Sequence, residues 1–303
     1  MKIYLTNSNK KLVGAISILA SAFLFYIATF FVKLGAPETS GDSIIYMAMR
    51  FWLGYLFILF WYSLIKKTSL KQMKVVNRKW LWHRAFWNMV AVMFFYLGVI
   101  YGSLTGANIL NMTYPVFVAM LSIYLLNEKP DITTWFSVFF SVLGTFFVLW
   151  GNGDASGIIV RPGEIFGLFS GITAGISIVA LRIIRITDTT EAALFYNFRL
   201  GSWCTFPFLI YYLINRGTGE SLQSFYYPLL SGVSGILGQV ALTYGFKFVT
   251  AVHGSILSAS RLLFAVLIGW LFFRYEVNLY SVSGATVIFI ANIMLVIRKK
   301  ETA

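Results

Sequence analysis

The chain has 303 residues, of which 58% are hydrophobic and only 12% are charged, against roughly 25% charged residues in a typical soluble domain. This composition excludes an ordinary soluble protein and indicates an integral membrane protein. The net charge of +13 does not indicate nucleic-acid binding, because the basic residues follow the distribution that is usual around membrane helices.

Mostly apolar segments of about 20 residues, the length that crosses a hydrocarbon core, follow one another with short polar breaks between them. The ten predicted spans are residues 12–32, 43–65, 80–101, 104–126, 132–150, 164–184, 192–214, 227–248, 251–273 and 279–297. The first span has no convincing small-x-small cleavage site and is interpreted as a membrane helix, not as a signal peptide. The predicted fold is an all-α integral membrane protein with ten transmembrane helices.

Lysine and arginine lie mostly on one side of these spans. With the N-terminus in the cytoplasm, 16 of the 24 basic residues fall in cytoplasmic segments and four fall in segments on the opposite side of the membrane. This distribution follows the positive-inside rule. The other four, Arg50, Arg84, Arg199 and Arg261, fall within spans. We therefore predict a multi-pass protein of the cytoplasmic (inner) membrane with both termini in the cytoplasm.

The chain also contains an internal repeat. A shift of 148 or 149 positions aligns "YMAMRF" with "FYNFRL" and Tyr96 with Tyr244. Residues 1–152 and 153–303 are predicted to form two five-helix repeats. Because five is odd, the second copy enters the membrane from the opposite side. Inverted repeats are typical of transporters, whose substrate sites lie near the midplane where the repeats meet.

Motifs at matching places in the two repeats resemble a known family. The fourth span, "LTGANILNMTYPVFVAMLSIYLLNEK", places Pro115 thirteen residues before Glu128, and the stretch "LFAVLIGWLFFRYE" ends the ninth span at Glu276. Over nearly its whole length the chain resembles the EamA-type branch of the drug/metabolite transporter (DMT) superfamily. The resemblance implies a ten-helix fold, a central cavity lined mainly by helices 1, 3, 4, 6, 8 and 9, and movement of small organic metabolites.

The resemblance leaves the substrate open. Amino acid exporters and S-adenosylmethionine carriers both occur in this family, and the run "HRAFWNMVAVMFFYLGV" slightly favours the second group. The ninth span has Leu263 where the family often has proline, so a hinge is expected only at Pro115 in the first repeat.

Arginines inside spans usually face the bundle interior or a water-filled cavity. Arg50 and Arg199 take aligned places in the second and seventh spans. They are interpreted as structural clamps beside the cavity, bound to carbonyls or stacked on Tyr46 and Trp203, or alternatively as gating residues. Arg261 is predicted to contact substrate, because a guanidinium recognises a carboxylate or phosphate through paired hydrogen bonds; a structural or snorkelling role is the alternative.

Further candidates lie on the other cavity helices. Arg84, Trp87 and Asn88 share one face of the third span, where Arg84 either snorkels to headgroups or faces the cavity. The remaining predicted substrate contacts are Asn108, Asn111, Tyr96, Gln239, Tyr244 and His253. For the amides the alternative is a hydrogen bond between helices, and for His253 it is a hydrogen-bonded position at a helix start.

The predicted function is secondary transport, by alternating access, of a small polar or amphipathic metabolite with an acidic group, such as an amino acid or an S-adenosylmethionine-like compound. No nucleotide-binding motif, metal cluster or catalytic constellation occurs in the sequence, which has two histidines and one cysteine, so no enzyme activity and no cofactor are expected. The alternatives are a membrane-embedded enzyme and a ligand-binding receptor without translocation. The expected partners are the small-molecule substrate and the lipid bilayer, without nucleic acid, for a monomer or a homodimer.

Overall fold

The computed structural model describes residues 7–35, 43–68, 70–101, 110–151, 165–216, 225–273 and 279–297. Within these ranges every regular element is helical. Helices α1 to α11 are Asn7–Gly35, Ser43–Phe60, Arg78–Tyr101, Tyr114–Leu125, Ile132–Gly151, Ile165–Thr187, Thr190–Arg216, Tyr226–Gly245, Ala251–Ser258, Arg261–Phe273 and Leu279–Ile297. A π-helical turn, Trp61–Ile65, extends α2, and a short 3₁₀ helix, Leu70–Gln72, precedes α3.

Most helices correspond to one predicted span each, and two spans are divided. The fourth span consists of helical residues at 110–111 followed by α4, and the ninth consists of α9 and α10. Within the described residues, three helical segments are long and apolar enough by themselves to cross a bilayer: Asn9–Val32, Ile44–Ile65 and Ile165–Thr187. Shorter apolar helical segments among the described residues are Tyr114–Leu125, Ile132–Phe147 and Val282–Ala291.

Local sequence signals account for several helix ends. Asn127 follows α4 with φ 52°, the left-handed conformation that commonly ends a helix and that asparagine tolerates. Asp131 accepts hydrogen bonds from the Thr134 N–H at 3.0 Å and its hydroxyl at 2.6 Å at the start of α5. Thr250 caps α9 in the same way, accepting from the His253 N–H at 3.3 Å. These caps satisfy N–H groups that a helix start leaves unpaired.

The fourth and ninth spans break at matching positions. Turns at residues 112–113 and 259–260 interrupt them, and the two turns are 147 positions apart. Pro115 lies in the first turn of α4, whereas α10 begins at Arg261 without a proline. At the second break, i→i−3 hydrogen bonds such as Ser260 N–H to Leu257 O at 3.1 Å replace helical ones. Both spans are therefore interrupted at matching positions, although only the first carries a proline there.

Each five-helix repeat packs mainly against the other repeat. The most extensive contacts join α1 to α8, α3 to α6, α5 to α11 and α2 to α7. Exchanging spans 1–5 with spans 6–10 converts the contact of α1 with α8 into the contact of α6 with α3. The same exchange leaves the contacts of α5 with α11 and of α2 with α7 unchanged. The bundle therefore has the pseudo-twofold symmetry of an inverted repeat, and its core lies between the repeats.

A reciprocal contact at the crossing of α2 and α7 fixes the register of this symmetry. A Cβ placed on Gly54 meets the Phe198 ring, and a Cβ placed on Gly201 meets the Phe51 ring. The two contacts are equivalent only if the repeats are 147 positions apart, which pairs Arg50 with Asn197. The sequence alignment that paired Arg50 with Arg199 is thus out of register by two residues at this crossing.

One end of the bundle, where α1 begins, is closed by polar links and close backbone contacts; we call it the N-terminal face. Glu128 Oε1 accepts from the Ala251 N–H at 3.1 Å and lies 4.0 Å from Arg182 Nε. Arg182 Nη1 donates to the carbonyl of Phe246 at 2.8 Å. On the same face a Cβ placed on Gly14 would lie 2.8 Å from Phe248 Cβ. These contacts hold spans 1, 4, 6, 8 and 9 together at this end.

Candidate functional site

A cavity of about 190 Å³ lies between the two repeats. It is lined by α1, α2, α3, α6 and α8 and by the broken fourth and ninth spans, including the six helices that the family resemblance implied. Its polar and aromatic lining includes Phe25, Thr29, Arg50, Arg84, Asn88, Tyr96, Asn111, Tyr114, Ser170, Ser177, Ser231, Gln239, Ser258 and Arg261. Both breaks reach this cavity, through Tyr114 and Arg261.

Arg50 is one of the lining residues, not a residue beside the cavity. Its Nη2 donates to Gln239 Oε1 at 3.1 Å, and its guanidinium lies 4.9 Å from the centroid of the Phe25 ring. Gly235 of α8 makes room for it, since a Cβ there would lie 3.2 Å from Arg50 Cδ. The predicted aromatic partner, Tyr46, does not take this place. Three helices, α1, α2 and α8, thus position Arg50.

Arg261, at the start of α10, heads a chain of hydrogen bonds. Its Nη2 donates to Asn111 Oδ1 at 3.2 Å, Asn111 Nδ2 donates to Ser170 Oγ at 2.7 Å, and Ser170 Oγ donates to the Ala91 carbonyl at 2.7 Å. Because a guanidinium has no acceptor, the amide oxygen must turn to it. The Asn111 amide oxygen therefore faces Arg261, which keeps further N–H donors of its own.

Arg84 is only 2% exposed and donates to Ser177 Oγ of α6. The Ser177 hydroxyl in turn lies 3.3 Å from the Arg84 carbonyl, so side chain and backbone of one residue are tied to one serine. Snorkelling to headgroups does not fit this burial. Asn88, one turn along α3, presents a buried Nδ2 without a hydrogen-bond partner among the described residues.

The three cavity arginines share a charge environment. Each donates to a neutral side chain, and no carboxylate is among the described residues that line the cavity. Both Arg84 and Arg261 experience the charge of Arg50. The ion pairs that the described part of the chain forms, Lys66–Glu191 and Arg182–Glu128, lie at the N-terminal face. Arginine stays charged in proteins, so the cavity carries three positive charges that no carboxylate of its described lining compensates.

Other predicted site residues lie elsewhere. Trp87 packs edge-on against Phe86 and does not line the cavity, and Tyr244, 42% exposed, packs on Phe248 at the N-terminal face. His253 lies in the first turn of α9, also away from the cavity.

Three predicted residues remain to be placed: Arg199, Pro115 and Asn108. The guanidinium of Arg199 lies 5.7 Å from the Phe195 ring, outside the cavity, and not on Trp203, which is 68% exposed. Pro115 is buried in the first turn of α4. Asn108 lies outside the described residues.

Sequence reasoning missed Tyr114 and Ser177. The Tyr114 hydroxyl donates to the Ser255 carbonyl at 3.0 Å and also bonds the Ser258 hydroxyl, across the two breaks. A helix break frees carbonyls that the membrane interior cannot hydrate, and this tyrosine supplies a donor beside the Ser258 hydroxyl, which lies 3.0 Å from the same carbonyl. Ser177 lies seven residues after Ser170 on one face of α6, and both serines line the cavity.

The inverted bundle and its buried polar cavity between the repeats are features of the membrane transporter class. The sequence profile of the EamA-like transporter family matches residues 12–150 and again 161–297. The chain therefore belongs to the EamA-like transporter family, a ten-helix membrane fold within the DMT superfamily, and the predicted fold and family are confirmed.

Individual relatives and a solved structure agree with this family. An uncharacterized transporter of Helicobacter pylori is 27% identical over 299 residues, 95% of each chain. Another, of Archaeoglobus fulgidus, is 25% identical and covers 91% of this chain and 93% of its own. A pseudopaline exporter of Pseudomonas aeruginosa is 25% identical over 65% of this chain and 67% of its own. A protein crystal structure 16% identical aligns with a TM-score of 0.70 over 95% of this chain and 96% of the other, which supports the fold.

Proposed function

We propose that this protein is a secondary transporter for a small organic metabolite that bears an acidic group, and that it moves this substrate by alternating access. The observation that carries the proposal is the set of three arginines, Arg84 buried and Arg50 and Arg261 partly buried, that face one cavity without a carboxylate among its described lining residues. A buried charge is costly without a partner. An anionic group on the substrate is the partner that this cavity favours.

The size and charge of the cavity favour one of the two substrate groups that the family resemblance left open. About 190 Å³ is less than the roughly 300–1,000 Å³ usual for drug-sized ligands. S-adenosylmethionine is both large and positively charged at sulfur, so three guanidiniums would repel it. A small acid fits better, which agrees with the acidic group in the predicted substrate and argues against the S-adenosylmethionine-like alternative.

The arrangement of the helices supports alternating access. The cavity lies between two inverted repeats, and links such as Glu128–Ala251 close the bundle at the N-terminal face. By the positive-inside rule this face is proposed to be cytoplasmic. Rocking of one repeat against the other would open it. A cysteine-accessibility scan of residues at this face, with a membrane-impermeant reagent on intact cells, tests the orientation: labelling from outside would reverse it.

Transport in proteoliposomes tests the proposed function. Purified protein is reconstituted and assayed for counterflow of radiolabelled organic acids, acidic amino acids and S-adenosylmethionine. Arg261→Gln is expected to reduce uptake of the acid that the wild type transports by at least about tenfold, since a hydrogen bond to a charged group contributes about 1.5–3 kcal/mol. The matched control is Arg199→Gln, which removes an arginine outside the cavity and should retain uptake.

Two outcomes would contradict the proposal. Equal uptake by wild type and Arg261→Gln would remove this arginine from substrate recognition. Stoichiometric binding of an acid without translocation would favour the receptor alternative, and chemical conversion of the bound compound would favour the enzyme alternative.

A further inference from the structure

The three cavity arginines form three separate sets of hydrogen-bond donors. Arg50 and Gln239 come from α2 and α8, and Arg261 begins α10. Arg84 and Asn88 come from adjacent turns of α3, where residues four apart lie on one face. The sets thus approach the cavity from different helices and offer more than one place for an anionic group.

The donors outnumber the acceptors in these sets. Gln239 turns its oxygen to Arg50, and Asn111 turns its oxygen to Arg261, so each amide oxygen already accepts from a guanidinium. Asn88 Nδ2 is buried and lacks a hydrogen-bond partner among the described residues. An ammonium group of a ligand would therefore meet three guanidiniums and no carboxylate along the described lining.

Charge balance sets the number of anionic groups on the ligand. One carboxylate would neutralise one of three guanidiniums, and the other two would lie in the cavity without a counter-charge from its described lining, although Arg50 already repels both Arg84 and Arg261. Two or three anionic groups would neutralise most of the buried charge and use donor sets that a single carboxylate cannot reach.

We propose that the substrate carries at least two negative charges and no amino group: a dicarboxylate, a tricarboxylate or a small phosphate ester. This inference rests on the proposed transport function and narrows its substrate class. It also argues against the zwitterionic amino acids that the family resemblance left open. A guanidinium binds carboxylates and phosphates alike through paired hydrogen bonds, so both chemistries belong in the test.

Binding to the purified protein tests the proposal. Dissociation constants are obtained from thermal shifts at constant ionic strength for lactate, alanine, glutamate, succinate, citrate and glycerol 3-phosphate. We expect succinate, citrate or glycerol 3-phosphate to bind about 10- to 100-fold tighter than lactate, which is the factor that one extra charged hydrogen-bonded contact provides. The carboxylates and the phosphate ester are separate arms, and the tighter arm identifies the anion chemistry.

The variants Arg84→Gln and Arg50→Gln test the charge count. Each should reduce the ratio of dianion to monoanion affinity to near one, whereas Arg199→Gln should leave the ratio unchanged. Should Arg84→Gln fail to give a monodisperse protein, Arg261→Lys replaces it, because it keeps the charge but loses the paired hydrogen bonds. This variant should weaken dianion binding by about tenfold.

The failures of the two proposals are distinguishable. Equal affinity for lactate, alanine and succinate, lost together in the arginine variants, overturns the two-charge proposal and leaves the transport of an acid intact. Absence of binding by every anion, with transport of a neutral or cationic compound that is unaffected in Arg261→Gln, overturns both.

Discussion

Arg84 is the most deeply buried of the cavity arginines, and it lies in a fold that has no counter-charge for it in the described lining. Replacement of buried charges by apolar residues of similar volume often stabilises a protein. A residue that destabilises the fold in which it lies is retained because of what it binds. On this reasoning Arg84 serves the ligand-bound state at the expense of the empty one.

We predict that Arg84→Met raises the stability of the substrate-free protein by about 1–4 kcal/mol and abolishes transport. The Ser177 hydroxyl keeps its contact with the backbone carbonyl of residue 84, so the packing of α3 on α6 should persist. The measurement is the thermal unfolding midpoint in detergent, beside proteoliposome uptake. The control, Arg199→Met, should change neither by much. A large fall of the midpoint in Arg84→Met would instead show that this arginine holds the fold together.

Glu128, at the N-terminal face and outside the spans, is a partly buried residue whose ionised form is negative, in contrast to the cavity arginines. Burial raises the pKa of its carboxyl above the ordinary value, and the Ala251 N–H and the Arg182 charge offset only part of that rise. Because the folded state then binds the proton more tightly than the unfolded state does, the carboxyl stabilises the fold below its unfolded pKa. That contribution is lost as pH rises through the folded pKa.

Glu128→Gln removes this titration but keeps an oxygen for the Ala251 N–H. We therefore expect the unfolding midpoint of the wild type to fall relative to that of Glu128→Gln as pH is raised from about 4.5. The midpoints of both proteins are compared across a pH series in one detergent. A difference that stays constant with pH, or that grows in the other direction, would contradict the raised pKa.

Among the elements, the two broken spans cross at the cavity, and Tyr114 joins them. Its hydroxyl satisfies the Ser255 carbonyl that the turn at residues 259–260 frees. Tyr114→Phe is predicted to destabilise the protein by about 1–3 kcal/mol, because the hydrogen bonds of this hydroxyl to the Ser255 carbonyl and the Ser258 hydroxyl are lost. Tyr55→Phe is the control, since the Tyr55 ring packs against Phe195 away from the breaks. An unchanged unfolding midpoint in Tyr114→Phe would mean that the Ser258 hydroxyl, 3.0 Å from the Ser255 carbonyl, satisfies it alone.

Sequence patterns predicted the elements better than their register. Apolar length is a local property, so the spans could be marked from the chain alone. The pairing of Arg50 with Arg199 was wrong because the alignment matched the two arginines, whereas the contact between the repeats is made by glycine and phenylalanine positions two residues out of that register. The break at residues 259–260 was missed because it needs no proline, and its carbonyl is satisfied by Tyr114 from the other repeat.

Polar residues within the apolar spans correctly indicated much of the candidate site. The helix face that turns toward the cavity was harder to predict. Asn88, Asn111, Gln239 and Arg261 line the cavity as their polarity suggested. Trp87 precedes Asn88 by one residue, so a rotation of about 100° around the helix axis separates it from the cavity. Which face turns inward depends on packing against the other repeat, which a single sequence does not state.

At the scale of the whole molecule, the reciprocal contacts of Gly54 with Phe198 and of Gly201 with Phe51 join the two repeats. A methyl group at either glycine would overlap a ring, and overpacking of this kind costs about 1–3 kcal/mol. We predict that Gly54→Ala and Gly201→Ala destabilise the protein by similar amounts, because the pseudo-twofold symmetry makes the sites equivalent.

Smaller partners should rescue these variants. Gly201→Ala combined with Phe51→Leu is expected to recover part of the lost stability, and so is Gly54→Ala combined with Phe198→Leu. Double-mutant cycles from unfolding midpoints measure the coupling, which should be smaller for the crossed pairs Gly201→Ala with Phe198→Leu and Gly54→Ala with Phe51→Leu, because each added methyl group overlaps the other ring. Rescue by the crossed pairs would contradict the assigned register.

The shared core between the repeats also has a consequence for biosynthesis. Arg50 and Arg84 are synthesised with the first repeat, yet their partners, Gln239 and Ser177, belong to the second. Until the ribosome has completed the second repeat, the two guanidiniums of the first repeat lack these hydrogen-bond partners. Insertion of the early helices therefore precedes assembly of the bundle. The finished cavity forms only when the later helices arrive, and a chain truncated after its fifth helix would remain a substrate for membrane quality control.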